Sequence, residues 1–529
     1  MSPFTDSERP SKRARTEESE NRHSPGSSHL DQHAAVQIVD EDLSDREEVD
    51  IVDVAARGSD LYLDTINRAV LDFDFEKVCS ISLSNINIYG CLVCGKYFQG
   101  RGRKSYAYAH SIHDDHHVFI NLESTKVYVL PDGYPVSDPS LEDISFVLAP
   151  SFTATAVATL SSPTHLAKPF YDLSSKPYLP GYIGLNNIKR NDYMNVVVHS
   201  LLHVAPLRDY LLLSHFGAKQ PELVKRFAAL AKKVWNPRLF KSQVSPHEFL
   251  QEVGRASGGK FRMEVQGDPA EFLGWIINQL HKDLGGTKRK NSSIMFSTFQ
   301  GEVRMEVQQV VVRPEAAEND KPRFDIDREI KTSTSPFLFL AVDLPPPPLF
   351  QDAVEKNIIP QVGIHTVLTK YDGVTTQASD SDHNESRGQL RRFKCQRLPP
   401  YIILHYKRFT KNNFVEEKNP TIVNFPLRGV DFRDYLEAPT SHPHTVYDLV
   451  ANITHESIAG TTRDKENTVW KVQLRAGAGG GDNEKWFQIQ DLIVEEIRKE
   501  MIFLGESFLQ IWERRPDRQE GEMHVQADA

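Results

Sequence analysis

The stretch from Gly184 to Val204 constrains the fold of this chain more than any other. It reads GLNNIKRNDYMNVVVHSLLHV, in which an Asn-rich loop leads into Asp192 and then into an apolar run. The spacing of the apolar residues predicts a mostly buried helix that begins at or next to Asp192. Free N–H groups and the helix dipole favour negative charge there, as they would favour the thiolate of a cysteine. Helix capping is therefore one sufficient explanation for this carboxylate.

The composition is that of a soluble globular protein with two or three domains. Of its 529 residues, 39% are hydrophobic and 25% are charged. Four cysteines in so long a chain do not form a disulfide scaffold and indicate a reducing compartment. Because no apolar run approaches membrane-spanning length and there is no N-terminal hydrophobic segment, we expect neither a membrane protein nor a secreted one. A net charge of −10 argues against bulk electrostatic binding of nucleic acid.

Both ends of the chain are predicted to be disordered. Residues 1–60 are polar, and Asp40–Asp53 holds eight acidic residues against one Arg, a composition that cannot bury enough apolar surface to fold alone. Residues 516–529 form a second polar tail. The run Pro10–Arg15 (PSKRAR) is either a nuclear-localisation signal or a solvated charge run.

A metal site is predicted in the first folded unit, residues 61–160. Cys91 and Cys94 form a C-x-x-C knuckle, and His110 and His116 follow at a spacing that lets two thiolates and two imidazoles surround one ion. Zinc bound in this way would contribute directly to folding. The alternative is that the cysteines are small buried hydrophobes and the histidines are surface residues.

The fourth ligand is the least constrained member of this set. His113 and His117 compete with His116 by spacing alone. Cys79, upstream of the knuckle, is predicted to be a core residue rather than a ligand. Because no other Cys/His cluster occurs in the sequence, we expect one structural zinc ion per chain.

A second domain is predicted to begin after a Pro-rich connection. Residues 161–180 are punctuated by Pro, which disfavours helix in the preceding residues, and residues 181–515 then carry both helical and strand-like patterns. Helical periodicity is clear in 221–235, and Asp268 followed by Pro predicts the start of another helix. Leu398–Phe409 (LPPYIILHYKRF) predicts a buried strand after a Pro turn.

Three of these segments resemble sequence boxes of the ubiquitin-specific proteases. The segment Leu398–Phe409 is similar to L-P-x-x-L-I-L-H-L-K-R-F, and Gly267–Leu273 (GDPAEFL) is similar to the end of Q-Q-D-A-x-E-F-L. The opening stretch is similar to the cysteine box G-L-x-N-x-G-N-T-C-Y-x-N, with matches at Gly184, Leu185, Asn187, Tyr193 and Asn195. The resemblance implies an α+β architecture, in which a small zinc finger precedes a papain-like fold with thumb, palm and fingers.

The first unit resembles the zinc finger of the ubiquitin-specific protease type, whose C-x-x-C and C-G-R-Y-x-x-G-H patterns help to hold a ubiquitin C-terminus. Here the two parts are fused in Cys91–Arg101 (CLVCGKYFQGR). Lys96 stands where the family has Arg, and Arg101 stands where it has a ligand His, which implies one zinc rather than three. Since Lys cannot hold a carboxylate bidentately as Arg does, this replacement argues against ubiquitin binding, and we interpret the finger as a binding module for another protein.

The resemblance also assigns the catalytic positions of the family to residues that cannot form its triad. A papain-like hydrolase needs a thiolate, a His and a group that orients the His. Asp192 occupies the position of the nucleophile, Thr468 that of the His, and Gln490 that of the orienting Asp or Asn. Thr cannot act as a general base at neutral pH, so we expect no enzymatic activity.

The combination of tail, one-zinc finger and triad-less protease domain resembles the catalytically inactive, spliceosome-associated branch of this family. That resemblance implies a nuclear protein that binds proteins of the spliceosomal tri-snRNP and serves as a non-catalytic scaffold in pre-mRNA splicing. The residues themselves indicate only a protein-binding scaffold of two domains with one zinc.

Two rival functions rest on other residues. One is an active deubiquitinating cysteine protease that uses Cys79 or Cys395 as nucleophile, although no motif supplies the His and the orienting group. The other is direct RNA contact through Lys288–Lys290 (KRK) and Arg101–Lys104 (RGRK), short basic runs that are more often solvated loops.

Overall fold

A computed structural model of the chain describes residues 61–217, 219–313, 323–346, 359–379, 387–411, 416–438, 444–457, 468–477 and 484–515. Both terminal tails, with the basic run Pro10–Arg15 and the acidic run Asp40–Asp53, lie outside these residues. From Leu61 onward the described residues form one compact unit.

The first domain is built around a small antiparallel sheet. Its elements are 3-10 helices at Leu61–Thr65 and Arg68–Val70, β1 (Ile88–Cys91), β2 (Tyr97–Gln99), α1 (Tyr106–His113), β3 (Val118–Asn121), β4 (Val127–Val129), β5 (Tyr134–Val136) and α2 (Glu142–Leu148). The strands follow the order β2-β1-β3-β4-β5. Ile88, Val118 and Ile120 from the sheet form a buried cluster with Ile144 and Leu148 from α2.

The helix that follows the first domain belongs to the core of the second. Val157, in α3 (Ala154–Thr159), and Leu160, directly after that helix, are buried in the same apolar cluster as the helices of the second domain. The boundary expected at residue 160 therefore lies too far along the chain. The apolar spacing of a short helix does not reveal which of two cores it joins, and only the tertiary packing decides that.

Residues 161–180 form a packed connection. Their elements are α4 (Pro163–Ala167), β6 (Phe170–Tyr171) and β7 (Pro177–Tyr178), with the two strands paired in a short hairpin. The Asp172 carboxylate accepts a hydrogen bond from the Ser242 N–H at 3.1 Å. The Tyr178 hydroxyl accepts one from the Leu239 N–H at 2.8 Å. These bonds fix the connection to the second domain, so it does not act as a free linker.

The two domains share an interface around residues 233–241. Phe240 of the second domain is buried in the apolar cluster of the first. Lys233 and Lys241 form ion pairs with Asp74 and Asp72, at 2.8 and 2.7 Å. Phe240 and these two partly exposed ion pairs set the orientation of the two domains. Most of the stabilisation of the interface comes from burial of the Phe240 ring.

Six helices of the second domain pack together as one lobe. They are α5 (Asp192–Leu202), α6 (Ala205–Leu213), α7 (Glu222–Val234), α8 (His247–Ala256), α9 (Pro269–Asp283) and α10 (Ile294–Phe299). A later helix, α11 (Ile364–Leu368), packs in a separate apolar cluster. α5 begins at Asp192, and all its residues are buried. Asp268 caps α9 by accepting hydrogen bonds from the N–H groups of Ala270 and Glu271. No single described helix has the length and apolarity to cross a membrane, and α5 with α6 meets that test only as a pair bent by 88°.

The strands of the second domain form two large sheets and several short pairs. They are β8 (Gly184–Leu185), β9 (Gln243–Val244), β10 (Gly301–Arg313), β11 (Arg323–Phe337), β12 (Leu340–Asp343), β13 (Gln361–Gly363), β14 (Gln377–Ser379), β15 (Arg387–Arg397), β16 (Tyr401–Lys407), β17 (Phe409–Lys411), β18 (Glu416–Lys418), β19 (Ile422–Asn424), β20 (Val430–Asp431), β21 (Val446–Ser457), β22 (Thr468–Ala476), β23 (Lys485–Gln490), β24 (Ile493–Ile497) and β25 (Ser507–Arg514). One sheet has the order β11-β10-β15-β14, and the larger has the order β12-β16-β25-β21-β22-β23-β24 with β20 beside β21. α5 lies against β21 and β22 of the larger sheet.

Arg408 shows that the K-R-F end of the LHYKRF segment has a structural role. Its side chain is fully buried after β16 and donates hydrogen bonds to the carbonyl oxygens of Ser507, Asn419 and Thr421, at 2.5, 3.0 and 2.7 Å. Burial lowers the pKa of Arg408 to about 10, and the charge of Glu506 opposes that shift. The guanidinium therefore joins β16 to β25 and to the segment before β19.

Four histidines are held neutral inside the second domain. Burial lowers the pKa of His199 and His455 to about 3 and the pKa of His203 and His405 to about 4, from an ordinary value of 6.5. Between pH 6.5 and about 4 the unfolded chain takes up protons that the folded chain does not. The free energy of unfolding therefore falls as the pH falls through this range, by about 1.4 kcal/mol per pH unit for each such histidine.

This titration gives a test with a matched control. His199→Phe removes one buried imidazole from α5, so the acid-side slope of stability against pH should decrease by about 1.4 kcal/mol per unit. Urea unfolding measured from pH 7 to pH 4.5 gives that slope. Val196→Ile, which changes a buried side chain of the same helix that does not titrate, should keep the wild-type slope. Equal slopes for His199→Phe and wild type would contradict the account of the buried ring.

Candidate functional site

The Cys/His residues of the first domain converge on one point. The ligand atoms of Cys91, Cys94, His110 and His116 all lie within 4.8 Å of one another. The separations are 3.7 Å from Cys91 Sγ to His116 Nδ1, 3.4 Å from Cys94 Sγ to His110 Nε2, and 3.0 Å between the two imidazole nitrogens. Tetrahedral zinc with bonds of about 2.0–2.3 Å requires roughly 3.3–3.8 Å between ligand atoms. Both Cys–His separations lie in this range, and the separation of the two imidazole nitrogens is slightly below it, so the four side chains can surround one zinc ion.

Local structure explains how the knuckle and the first histidine are held. Cys91 ends β1, and the turn after it closes through a 2.9 Å hydrogen bond from the Gly95 N–H to the Cys91 carbonyl. Gly95 has a φ of +75°, and a Cβ there would lie 2.5 Å from the Val70 carbonyl oxygen, so the turn requires glycine. His110 lies on α1, where Asp114 contacts its Nδ1 at 2.5 Å. That contact leaves Nε2 directed at the cluster, as a carboxylate bound to the other ring nitrogen does for the histidine ligands of zinc sites.

The two competing histidines point elsewhere. His113 has an 88% exposed side chain and pairs with Asp114. His117 donates from Nδ1 to the Leu130 carbonyl at 2.7 Å, and its Nε2 is 2.9 Å from Asp115. Both nitrogens of His117 are therefore engaged away from the cysteines. The structure brings His116, and neither of its competitors, to the cluster.

The two remaining cysteines lie outside the cluster and lack the features of a nucleophile. Burial raises the pKa of Cys79, but hydrogen bonds from Ser82 and Ile81 outweigh that effect and lower the pKa overall. The sulfur is nevertheless buried and not accessible to a substrate. Cys395 is fully buried in β15, where burial raises the pKa of its thiol to about 12. A catalytic cysteine needs an accessible thiolate with a depressed pKa. These environments argue against the rival function of an active cysteine protease.

The basic runs considered for RNA contact are partly occupied by intramolecular partners. Lys290 pairs with Glu302 at 2.7 Å. Arg101 donates to the Gly133 carbonyl and lies 4.7 Å from the ring centroid of Tyr128. One cation of each run is therefore already engaged within the protein.

Asp192 is tied to the large sheet and does not cap α5. Asn191 occupies the N-cap position, and the Asp192 Oδ2 accepts a hydrogen bond from the backbone N–H of Trp470 in β22 at 3.2 Å. Burial raises the pKa of Asp192, while the Gln266 side chain and backbone N–H groups oppose the shift. Asp192 is therefore the first residue of α5 and not its N-cap, and its carboxylate is enclosed where the helix meets the sheet.

Hydrogen bonds of three Asn side chains fix the loop before α5. The Asn191 Oδ1 accepts from the Ile188 N–H at 2.7 Å, and its Nδ2 donates to Asn195 Oδ1 at 3.0 Å. The side chains of Asn187 and Asn195 donate to the carboxylate of Asp491 at 3.0 and 3.3 Å. The Asn residues of the opening stretch therefore hold the loop to the end of β23.

The carboxylate that faces this loop belongs to Asp491, one residue beyond Gln490. Gln490 ends β23 and pairs with Ile493 in β24, whereas Asp491 begins the turn with a φ of +50°. Burial raises the pKa of Asp491, the Asn donors lower it, and the charge of Asp192 raises it further. The resemblance to the family assigns the orienting position to Gln490. The side chain that hydrogen-bonds to Asn187 and Asn195 is that of Asp491.

No described histidine makes a hydrogen bond with Asp192. Thr468 begins β22 opposite Ser457, and the β22 residue that reaches Asp192 is Trp470, through its main chain. His455 pairs with Trp470 across β21 and β22, and its ring packs edge-on against the indole at 4.5 Å between centroids. That imidazole therefore packs against the indole and makes no described hydrogen bond with the carboxylate.

Two family models match this chain, one in each domain. A family model described as "Ubiquitin carboxyl-terminal hydrolase" matches residues 183–522. The chain belongs to the ubiquitin carboxyl-terminal hydrolase family. A second model, described as "Zn-finger in ubiquitin-hydrolases and other protein", matches residues 79–141. The predicted α+β architecture, a zinc-finger domain followed by a hydrolase fold, is confirmed by these matches.

Individual members of the hydrolase family match along most of the chain. It is 49% identical over 464 residues to the Schizosaccharomyces pombe protein "Probable mRNA-splicing protein ubp10", which covers 86% of this chain and 89% of the relative. It is 47% identical over 465 residues to the Homo sapiens protein "Ubiquitin carboxyl-terminal hydrolase 39", covering 86% and 80%. A solved structure titled "Crystal structure of an essential yeast splicing factor" is similar at 31% identity and a TM-score of 0.67, covering 86% of this chain and 100% of the other.

Proposed function

We propose that this member of the hydrolase family is a nuclear, non-catalytic scaffold of the spliceosomal tri-snRNP, required for pre-mRNA splicing. The observation that carries the proposal is the length of the similarity to splicing proteins. The match to the Schizosaccharomyces pombe protein named for mRNA splicing, and that to the yeast splicing factor structure, each cover 86% of the chain. They therefore extend over the zinc finger as well as the hydrolase fold.

The chemistry of the degenerate centre supports the absence of catalysis. Isopeptide cleavage needs a nucleophile and a general acid that protonates the departing amine. Asp192 offers a buried carboxylate with a raised pKa, a weak nucleophile towards an amide, and its described neighbours include no imidazole within hydrogen-bonding distance. The described residues keep the loop and the buried helix α5 of the hydrolase fold. They do not bring a nucleophile and a general acid together there.

We assign one structural zinc ion to Cys91, Cys94, His110 and His116. The donor set and the ligand separations support the assignment, as does the match of residues 79–141 to a zinc-finger family. The metal would crosslink the end of β1 to α1 and to the segment before β3. Its chemical contribution is structural, since four protein ligands leave no open position for a substrate.

Affinity purification from nuclear extract tests the proposed function. A tagged full-length chain should co-purify with the snRNAs and proteins of the tri-snRNP and should be found in the nucleus. A chain that lacks residues 1–60 should retain the association, because we attribute it to the folded domains rather than to the tail. A cytoplasmic protein whose purified complexes contain no snRNA would contradict the proposal.

A further inference from the structure

A loop of the zinc-finger domain exposes three large aliphatic side chains. Ile81, Leu83 and Ile86 are 59%, 77% and 69% exposed. We call residues 79–87 the aliphatic loop. Single exposed apolar residues are common on protein surfaces, but three within six positions of one loop mark a candidate contact surface.

The aliphatic loop is organised by its own hydrogen bonds. The Cys79 N–H donates to the Ser84 carbonyl at 2.8 Å, and the Leu83 N–H donates to the Cys79 carbonyl at 3.1 Å. The Ser80 N–H donates to the Tyr97 carbonyl of β2 at 2.8 Å, which fixes the loop to the sheet. A surface held in one conformation before binding loses little conformational entropy when a partner docks.

Leu83 has an unfavourable backbone conformation in this loop. Its φ is +58°, in the left-handed region that a branched side chain rarely adopts. Its side chain gains almost no burial in return, since it is largely exposed. A residue that combines backbone strain with an exposed apolar side chain is unexplained by folding alone, and such strain is frequent where a ligand is held.

An acidic groove adjoins the aliphatic loop. The end of the loop, at Asn85 and Asn87, forms one wall, and the helices α7 and α8 of the second domain form the other. The groove has a volume of about 640 Å³ and is lined by five glutamates against three basic residues: Glu76, Glu123, Glu222, Glu248 and Glu252, with Lys77, Arg226 and Arg255. Arg226 pairs with Glu222 and Glu248, and Arg255 pairs with Glu252. These ion pairs do not cancel the excess of glutamates in the lining, so the groove keeps a net negative charge.

We propose that the aliphatic loop and the acidic groove together form a docking surface for a protein segment in which an apolar side chain is followed by Lys or Arg. The apolar side chain covers Ile81, Leu83 and Ile86, and the basic residues enter the groove between the two domains. Because both domains line the groove, the partner would also fix their relative orientation. The partner belongs to the tri-snRNP, so this inference rests on the proposed function.

The chain's own N-terminal tail does not complement this surface. Its most apolar part, residues 36–54, coincides with the acidic run Asp40–Asp53, which the groove would repel. Its basic run, Pro10–Arg15, contains no large aliphatic residue. The combination of apolar anchor and positive charge must therefore come from another protein.

Binding of full-length variants to purified tri-snRNP depleted of the endogenous protein tests the surface. The loop variant L83N/I86S removes two exposed aliphatic side chains, and Asn tolerates the backbone of position 83. We expect its affinity to fall at least tenfold, with zinc content and melting temperature unchanged. E123K, in the groove, should also weaken binding and reduce its dependence on salt. The matched control L504N replaces a leucine that is 53% exposed in the second domain and should bind as wild type does.

Photo-crosslinking identifies the occupant. A diazirine amino acid at position 83 should crosslink to a tri-snRNP protein segment that has a large apolar residue beside Lys or Arg, and the same probe at position 504 should not. Crosslinks to residues 1–60 of the same chain, to RNA or to an acidic segment would overturn the proposal. Equal binding of wild type and L83N/I86S would overturn the docking surface alone. Failure of the wild type to bind would overturn the proposed function and this partner with it.

Discussion

Replacing Cys91 with Ser should remove the zinc ion and unfold the first domain, while the second domain stays folded. Cys91 is fully buried at the end of β1, where one thiolate ligand is lost and a hydroxyl is left in an apolar cluster with Phe98 and Phe119. Structural zinc sites contribute on the order of 10–16 kcal/mol to folding in isolated fingers, more than a small domain can lose. The second domain has a separate and larger core that includes α5 to α10.

Metal analysis and hydrogen exchange measure both parts of this prediction. Wild type should contain one zinc per chain, and C91S should contain none and lose amide protection in β1 to β5. Cys79→Ser is the matched control, because Cys79 is equally buried in the same domain but outside the ligand cluster. It should keep one zinc. Full zinc content in C91S, or zero or three zinc ions in wild type, would refute the assignment of the four ligands.

Introducing the missing nucleophile should not create a deubiquitinase. In Asp192→Cys the new thiol lies in the first turn of α5, where the helix N-terminus favours its ionisation. No described imidazole hydrogen-bonds to this position, and the contact from β22 is the main chain of Trp470. The resemblance to the family places Thr468 where its catalytic His would stand. Arg190 also replaces one Asn of the cysteine box, and the side chain of Asn187, which the box retains, donates to Asp491 and not to an oxyanion. Loss of one donor to the oxyanion costs about 100- to 1000-fold in rate.

The measurement is turnover of a fluorogenic ubiquitin substrate by wild type, Asp192→Cys and Asp192→Ala. All three should be indistinguishable from buffer at micromolar protein. Activity of Asp192→Cys above that of Asp192→Ala would show that a base is available that neither the motif comparison nor the described contacts identify. Turnover by wild type would overturn the assignment as a non-catalytic member of the family.

Features that depend on local spacing could be predicted from the sequence. The start of α5 at Asp192 follows from the apolar period of the residues after it. The start of α9 follows from the pair Asp268-Pro269, because Asp is a favourable N-cap and Pro suits the first helical position. The Cys91–Cys94 knuckle follows from its C-x-x-C spacing. The choice among His113, His116 and His117 could not be made in this way. It depends on how the chain turns after α1, where His117 bonds to Leu130 and His113 faces solvent.

Contacts between distant segments of the chain could not be predicted from the periodicity of the sequence. Asp491 meets Asn187 and Asn195 across about 300 positions of the chain, so nothing near Gln490 indicates which of the two neighbours faces the loop. Val157 and Leu160 have the same apolar pattern whichever core they join. The tie between Asp192 and Trp470 likewise exists only once α5 packs on β22. Tertiary packing determined each of these outcomes.

Splicing by extract depleted of the endogenous protein tests most directly whether the protein acts as a scaffold and not as an enzyme. Purified wild type and Asp192→Asn, which keeps the size of the side chain but removes its carboxylate, are added back separately. The two proteins should restore splicing of a reporter pre-mRNA equally. Restoration by wild type but not by Asp192→Asn, with both proteins equally folded and equally bound to the tri-snRNP, would contradict the non-catalytic account.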